Sequence, residues 1–189
     1  MKDLWPPLRR TFLVGLGHKA RQGKDLAARA ITDGFANSRR IGFADAVRTL
    51  ARLDYGMTTK DAPLLQRLGM EGRNADPDLW VRVVAWTVAE WEADSPEPQL
   101  VVIPDLRFPN EADWIKAWGG LCLELRRYGA DGVRYLAADR DPTHTSETAL
   151  DGYPYGGIID NVEARQEETR ERIAALVERE YRRFVEGLS

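Results

Sequence analysis

The residues best suited to chemistry stand near the start of the chain. An apolar run over 11–16 leads into Gly17, His18, Lys19, Ala20, Arg21, Gln22, Gly23, Lys24 and Asp25, and a helix-favouring stretch follows. A strand, a glycine loop ending in Gly-Lys and a helix form the layout of a phosphate-binding P-loop. Successive backbone N–H groups line a nest, the helix N-terminus adds its positive dipole end, and the lysine ammonium reaches the outer phosphates. Gly23 lets the backbone approach the phosphates with no side chain in the way. The consensus places a glycine where His18 stands, with Gly17 one place early, and Ser or Thr where Asp25 stands. A basic turn opening an ordinary helix would use the same residues, Asp25 then favouring the first-turn dipole.

A loop of this kind needs elements to hold it. Residues 11–16 read as a buried strand and 24–36 as a helix ending near Gly34. Residues 40–44 suit a short strand leading to a helix through Asp45, Arg48 and Arg52, with a loop over 55–60. Residues 62–68 look helical and 69–77 read as a polar turn; 79–92 form a helix stopped by a Pro-rich segment. The apolar run 100–103 ends at Pro104 and Asp105, the profile of a buried parallel strand carrying an acid at its C-terminal end. A short helix over 110–118, strands over 121–125 and 157–160, and a C-terminal amphipathic helix capped by Asn161 complete the pattern.

Alternating strands and helices predict an α/β fold with a mostly parallel sheet flanked by helices. Ligands in such sheets sit beyond the carboxyl ends of the strands. The clusters Gly17 to Asp25, Asp105 to Arg107, and Arg126 with Arg127 all fall there, which favours the P-loop reading over the ordinary turn.

Composition sets the boundaries. The 189 residues suit one domain, 30% charged and 43% apolar, with net charge −3. That balance argues against a dedicated nucleic-acid binder. The single cysteine, Cys122, lies in an apolar run and reads as core, in keeping with a reducing cytoplasm. No stretch is long enough and apolar enough for a membrane helix, and the first residues lack a signal peptide's apolar segment. No His/Cys spacing suggests zinc, and no Ser/His/Asp arrangement suggests hydrolysis.

At Asp105, Leu106, Arg107, Phe108, Pro109, Asn110 and Glu111 the chain becomes more specific. Together with Lys19 to Asp25, the run from Leu65 and Gln66 to Glu71 and Arg73, Trp80, Gly119-Gly120, and His144, Ser146 and Glu147, it resembles the phage-type deoxynucleoside monophosphate kinases. These segments keep the family's order from about residue 12 to 161. The resemblance implies a P-loop kinase fold that moves the γ-phosphoryl of ATP onto a deoxynucleoside 5′-monophosphate with Mg2+. It also makes Lys-Asp at 24–25 an expected variant and a homodimer plausible. The donor-loop layout alone would equally fit another small-molecule P-loop kinase, such as a dephospho-coenzyme A or sugar-acid kinase, or a nucleotide-binding module without turnover.

Phosphoryl transfer depends on positioning and charge neutralisation, so a site for it should hold separate cations and a metal-facing acid. Lys24 and the loop, Gly17 and Lys19 to Asp25, would hold ATP. Asp105 would orient magnesium or its waters, with Asp25 in the position of the usual metal-binding hydroxyl. Arg107, two residues on, would grip the acceptor phosphate or the transferring group through its planar fork. Arg48 and Arg73 are the expected acceptor-phosphate contacts; Asp45, Gln66 and Glu71 would meet sugar or base. Trp80 would cover the base or pack in the core, and Trp5, Trp86, Trp91, Trp114 and Trp118 read as packing residues. The acceptor region spans about 44–92. A lid over about 127–156 would bring Arg127 and Arg134, with Arg126 beside it and Arg140 within it, over ATP and exclude water.

Overall fold

The computed structural model describes residues 5–17, 19–137 and 141–188. His18 and Arg140, both weighed above, lie outside the described residues. Five strands, β1 (Thr11–Gly17), β2 (Ser38–Arg40), β3 (Gln99–Leu106), β4 (Leu121–Tyr128) and β5 (Gly157–Val162), form one sheet in the order β2-β3-β1-β4-β5. Every pairing is parallel. β1 is central and buried along its whole length, as its unbroken apolar run requires.

Helices cover both faces. α1 (Lys24–Gly34) and α7 (Gln166–Glu186) enclose a core of Val14, Leu16, Ile31, Val102, Leu125, Ile173 and Val177. On the other face α2 (Phe43–Tyr55), α3 (Ala62–Ala75), α4 (Leu79–Ala93) and α5 (Pro109–Ala117) pack around Leu13, Phe43, Val84, Ile103 and Ile115. A four-residue helix, α6 (Thr145–Thr148), lies between β4 and β5. Among the described residues no helix is long and apolar enough to cross a membrane.

Tertiary contacts moved several boundaries. The short strand expected at 40–44 is β2, ending at Arg40, and Phe43 already opens α2. Asp105, 62 residues away from Phe43, accepts that residue's N–H and so starts the helix. The polar turn expected at 69–77 is instead the second half of α3, which runs through Gly69 and Gly72 to Ala75. Both glycines look like helix breakers, but Gly72 admits a neighbour: a Cβ there would stand 2.4 Å from Cζ2 of Trp80. Asn161 caps no helix; β5 continues through it, and Arg165 precedes α7. Trp86, expected in the core, is 56% exposed on the outer side of α4.

The expected lid is only partly free. Leu150 is fully buried, the N–H of Gly156 donates to the carbonyl of Cys122, and the Tyr153 hydroxyl bonds Asp113. The stretch from His144 to Gly156 is therefore anchored at these points, whereas 129–137 is held by the bridge of Tyr128 to Arg134, by the Tyr135 N–H on the Arg127 carbonyl and by Gln22 on the Tyr135 carbonyl.

Candidate active site

The carboxyl ends of β1, β3 and β4 lie side by side, with Gly17 opposite Leu106 on one side and Glu124 on the other. The loop leaves β1 there and enters α1 through two left-handed residues, Arg21 at φ 58° and Gly23 at φ 92°. A Cβ on Gly23 would lie 2.2 Å from Nδ2 of Asn161, so conformation and space both demand glycine. Among the described residues no side chain caps the first turn of α1. Its amides and positive dipole end remain suited to an anion. Buried Gln22 pins the loop to its surroundings: its Oε1 accepts the Arg127 N–H at 2.7 Å, and its Nε2 donates to the carbonyl of Tyr135 at 3.2 Å.

Lys24 stands at the head of α1. Burial, then the charge of Arg107, lowers its pKa from 10.5 to about 7, while Glu147 and Asp105 act in the opposite sense. Its Nζ donates to the Lys19 carbonyl at 2.6 Å. Asp105 sits across the site with both carboxylate oxygens engaged, accepting the N–H groups of Phe43 and Ala44 at 2.9 and 2.8 Å. Burial pushes its pKa up and those two hydrogen bonds oppose the rise. Each oxygen keeps a further lone pair, so the group can still orient a hydrated cation.

Arg107 is held at both ends. Its N–H donates to Glu111 Oε2 at 2.7 Å, and its Nη1 donates to Glu147 Oε1 at 2.5 Å. The fully buried Glu111 also accepts Arg73 Nη2 at 2.6 Å, and burial pushes its pKa up to about 7. The Arg73 guanidinium lies 4.1 Å over the Phe108 ring, and its buried Nη1 has no hydrogen-bond partner among the described residues. Arg107 and Arg73 are thus joined through one carboxylate. Asp45 accepts the Gly42 N–H at 2.6 Å and pairs with Arg48; both act on the charge of Asp105. Gln66 reaches His144, Nε2 to Nε2, at 2.5 Å.

The remaining candidates have these partners. Trp80 is a core residue, 5% exposed, donating Nε1–H to the Gly69 carbonyl at 3.0 Å; the wide ring that could cover a base instead seals α3 against α4. Glu71 pairs with Arg67 one helical turn back on the exposed side of α3, because residues expected in a turn follow the helix's rotation. Asp25 points to solvent and pairs with Arg40. Arg126 lies along Glu124 through two hydrogen bonds of 3.0 and 2.8 Å, and Arg127 stacks 4.8 Å over the Tyr135 ring. Lys19 donates to the Glu147 carbonyl at 2.9 Å and pairs with Asp151 at 2.8 Å. No set of three or more metal-ligating side chains converges among the described residues.

No protein-family model and no curated protein matches the chain. Among solved structures, the tunicamycin resistance protein of Deinococcus radiodurans superposes with a TM-score of 0.53 at 15% identity, over 89% of this chain and 96% of that one. A candidate kinase from Chloroflexus aurantiacus gives a TM-score of 0.52 at 13% identity, over 97% and 100%. The chain has their fold. This is the parallel α/β arrangement expected from the strand-loop-helix pattern, with the glycine loop after the central strand.

The resemblance marks Glu111 and Glu147, the latter as a lid-anchoring hydrogen bond or a substrate contact, and names no partner for either. For Glu111 a local signal exists: Pro109 opens α5 and Glu111, two residues on, completes a capping box with the Phe108 backbone. For Glu147 no local signal exists, since its partners Ala20 and Arg107 are distant in the chain.

Proposed function

We propose that the protein is an ATP-dependent kinase that phosphorylates a deoxynucleoside 5′-monophosphate. The observation that carries this reading is the line of cations from Lys24 through Arg107 to Arg73, interleaved with Glu147 and Glu111. A donor loop alone would account for Lys24; two further guanidiniums in separate places suit a second anionic substrate. The uncapped start of α1 and the ammonium of Lys24 would hold the phosphates of ATP. Arg107 would face the transferring group, and Arg73 and Arg48 the acceptor phosphate. An acceptor phosphate oxygen forms the new P–O bond, the bond between the γ-phosphorus and its bridging oxygen breaks, and ADP leaves. Magnesium, when bound with ATP, would neutralise phosphate charge, and Asp105 would hold it through water.

One observation favours a wider acceptor class. With Trp80 in the core and Glu71 on the outer side of α3, two expected contacts to base or sugar are missing from the site. Another phosphorylated small molecule would need the same arginines and fewer base contacts. Coupled ADP release with the four deoxynucleoside monophosphates, their ribose counterparts, dephospho-coenzyme A and sugar acids distinguishes these readings. Turnover with at least one deoxynucleotide, well above the others, is expected. Turnover confined to a non-nucleotide acceptor moves the protein to another small-molecule kinase, and ATP binding without ADP release makes it a nucleotide-binding module.

A further inference from the structure

We propose that Glu147 is a positioning residue of the transfer site, holding the Arg107 guanidinium in a fixed place against the donor loop. The inference rests on the kinase reading for its consequence but on independent geometry for its placement. The Glu147 side chain is 8% exposed and its two oxygens serve opposite walls. Oε2 accepts the N–H of Ala20 in the loop at 2.8 Å, and Oε1 accepts Nη1 of Arg107 at 2.5 Å. The main chain repeats this division: the Glu147 carbonyl accepts Lys19 Nζ at 2.9 Å, and the Ser146 carbonyl accepts the same Arg107 nitrogen at 3.3 Å. Residues 146–147 therefore bridge the loop after β1 and the end of β3.

The bridge has a firm base. His144 caps α6 with its imidazole, Nδ1 accepting the Ser146 N–H at 3.2 Å. Leu150 anchors the segment in the core, and Asp151 pairs with Lys19. An arginine has many rotamers, and one held by a buried carboxylate no longer loses that freedom when a phosphate arrives. The guanidinium has five donors, so binding Glu147 leaves others for a ligand. A carboxylate also suits the charges, because Lys24 and Arg107 repel each other, and Glu147 stands near both. A neutral amide of the same size could not accept from Ala20 and Arg107 through two oxygens.

The test uses the full chain with Glu147→Gln, Arg107→Ala and the double variant, with the acceptor that the wild type uses best. Glu147→Gln is expected to lower kcat at least ~30-fold with the ATP KM within ~3-fold, since the donor loop keeps its other amides. The double variant should fall no more than ~3-fold below Arg107→Ala, because one residue acts through the other. Multiplying losses in the double variant, or kcat unchanged in Glu147→Gln, overturns the proposal. So does ATP binding at least ~10-fold tighter in Glu147→Gln, which would make the carboxylate a competitor for the phosphate seat. Should wild type turn over no acceptor, the kinase reading fails separately, and amide exchange decides the placement. Ala20 is then expected to exchange at least ~10-fold faster in Glu147→Ala than in wild type at equal melting-corrected stability. Equal exchange rates overturn the bridge.

Discussion

ATP binding should depend on pH through Lys24. Burial and the nearby Arg107 charge hold this lysine at about 7, so the free protein loses its ammonium in the neutral range. Incoming phosphates supply the opposite charge and restore it, so binding takes up a proton. With a pKa near 7, about half the molecules are charged at pH 7 and about one in a hundred at pH 9. Affinity should fall by about fifty-fold over that interval, roughly 2.3 kcal/mol. The ATP phosphates are largely ionised throughout, since their last ionisation lies near pH 6. Calorimetry at pH 8 in two buffers of different ionisation enthalpy should report uptake of about 0.9 proton per ATP. Lys24→Arg, charged at every pH used, should bind with a flat profile and no uptake. Equal pH slopes for wild type and Lys24→Arg would refute the argument. The same shift affects folding with a definite sign. Below pH 7 the lysine is charged in both folded and unfolded chains. Between pH 7 and 10.5 the unfolded chain binds a proton that the folded one lacks, so this group makes stability rise with pH in that window. Lys24→Met should remove that contribution in urea titrations run from pH 7 to 10.

Arg73→Ala should destabilise by about 3–5 kcal/mol in urea unfolding, because it strands the fully buried Glu111, and adding Glu111→Gln should recover part of the loss. If the single variant melts like wild type, the pair is not structural. Asp105→Asn keeps one acceptor oxygen for two N–H groups, so it should cost about 1 kcal/mol at the start of α2 and shift the magnesium curve of turnover. Identical magnesium curves would remove Asp105 from the metal's surroundings. Gly72→Ala should lower the melting temperature through its clash with Trp80, whereas Gly69→Ala, with open space at the Cβ, should gain about 0.5–1 kcal/mol. A matching sign for the two would mean that α3 and α4 do not pack this closely.

Features that depend on local order are legible along the chain. Unbroken apolar runs made β1, β3 and β4 buried parallel strands, and the Gly-Lys step put a phosphate-type loop between β1 and α1. The acid and arginine after β3 followed from the same run, since an extended segment places residues two apart on one side. Charge at this end of the sheet is legible in the sequence as Lys24, Asp105, Arg107 and Arg73. What each charge touches was decided by the tertiary structure. Asp105 starts a helix 62 residues earlier in the chain. Glu147 reaches back 127 residues to Ala20, and Arg73 finds its carboxylate 38 residues on. Such partners carry no periodicity and no spacing rule. They meet because the parallel crossovers bring the ends of β1, β3 and β4 together, and burial there makes every charge take a partner. Burial also explains Gly72 of α3, which with Gly69 locally predicts a turn. The ring of Trp80 on the next helix needs the room that Gly72 leaves, and packing there outweighs the roughly 1 kcal/mol that a glycine costs a helix.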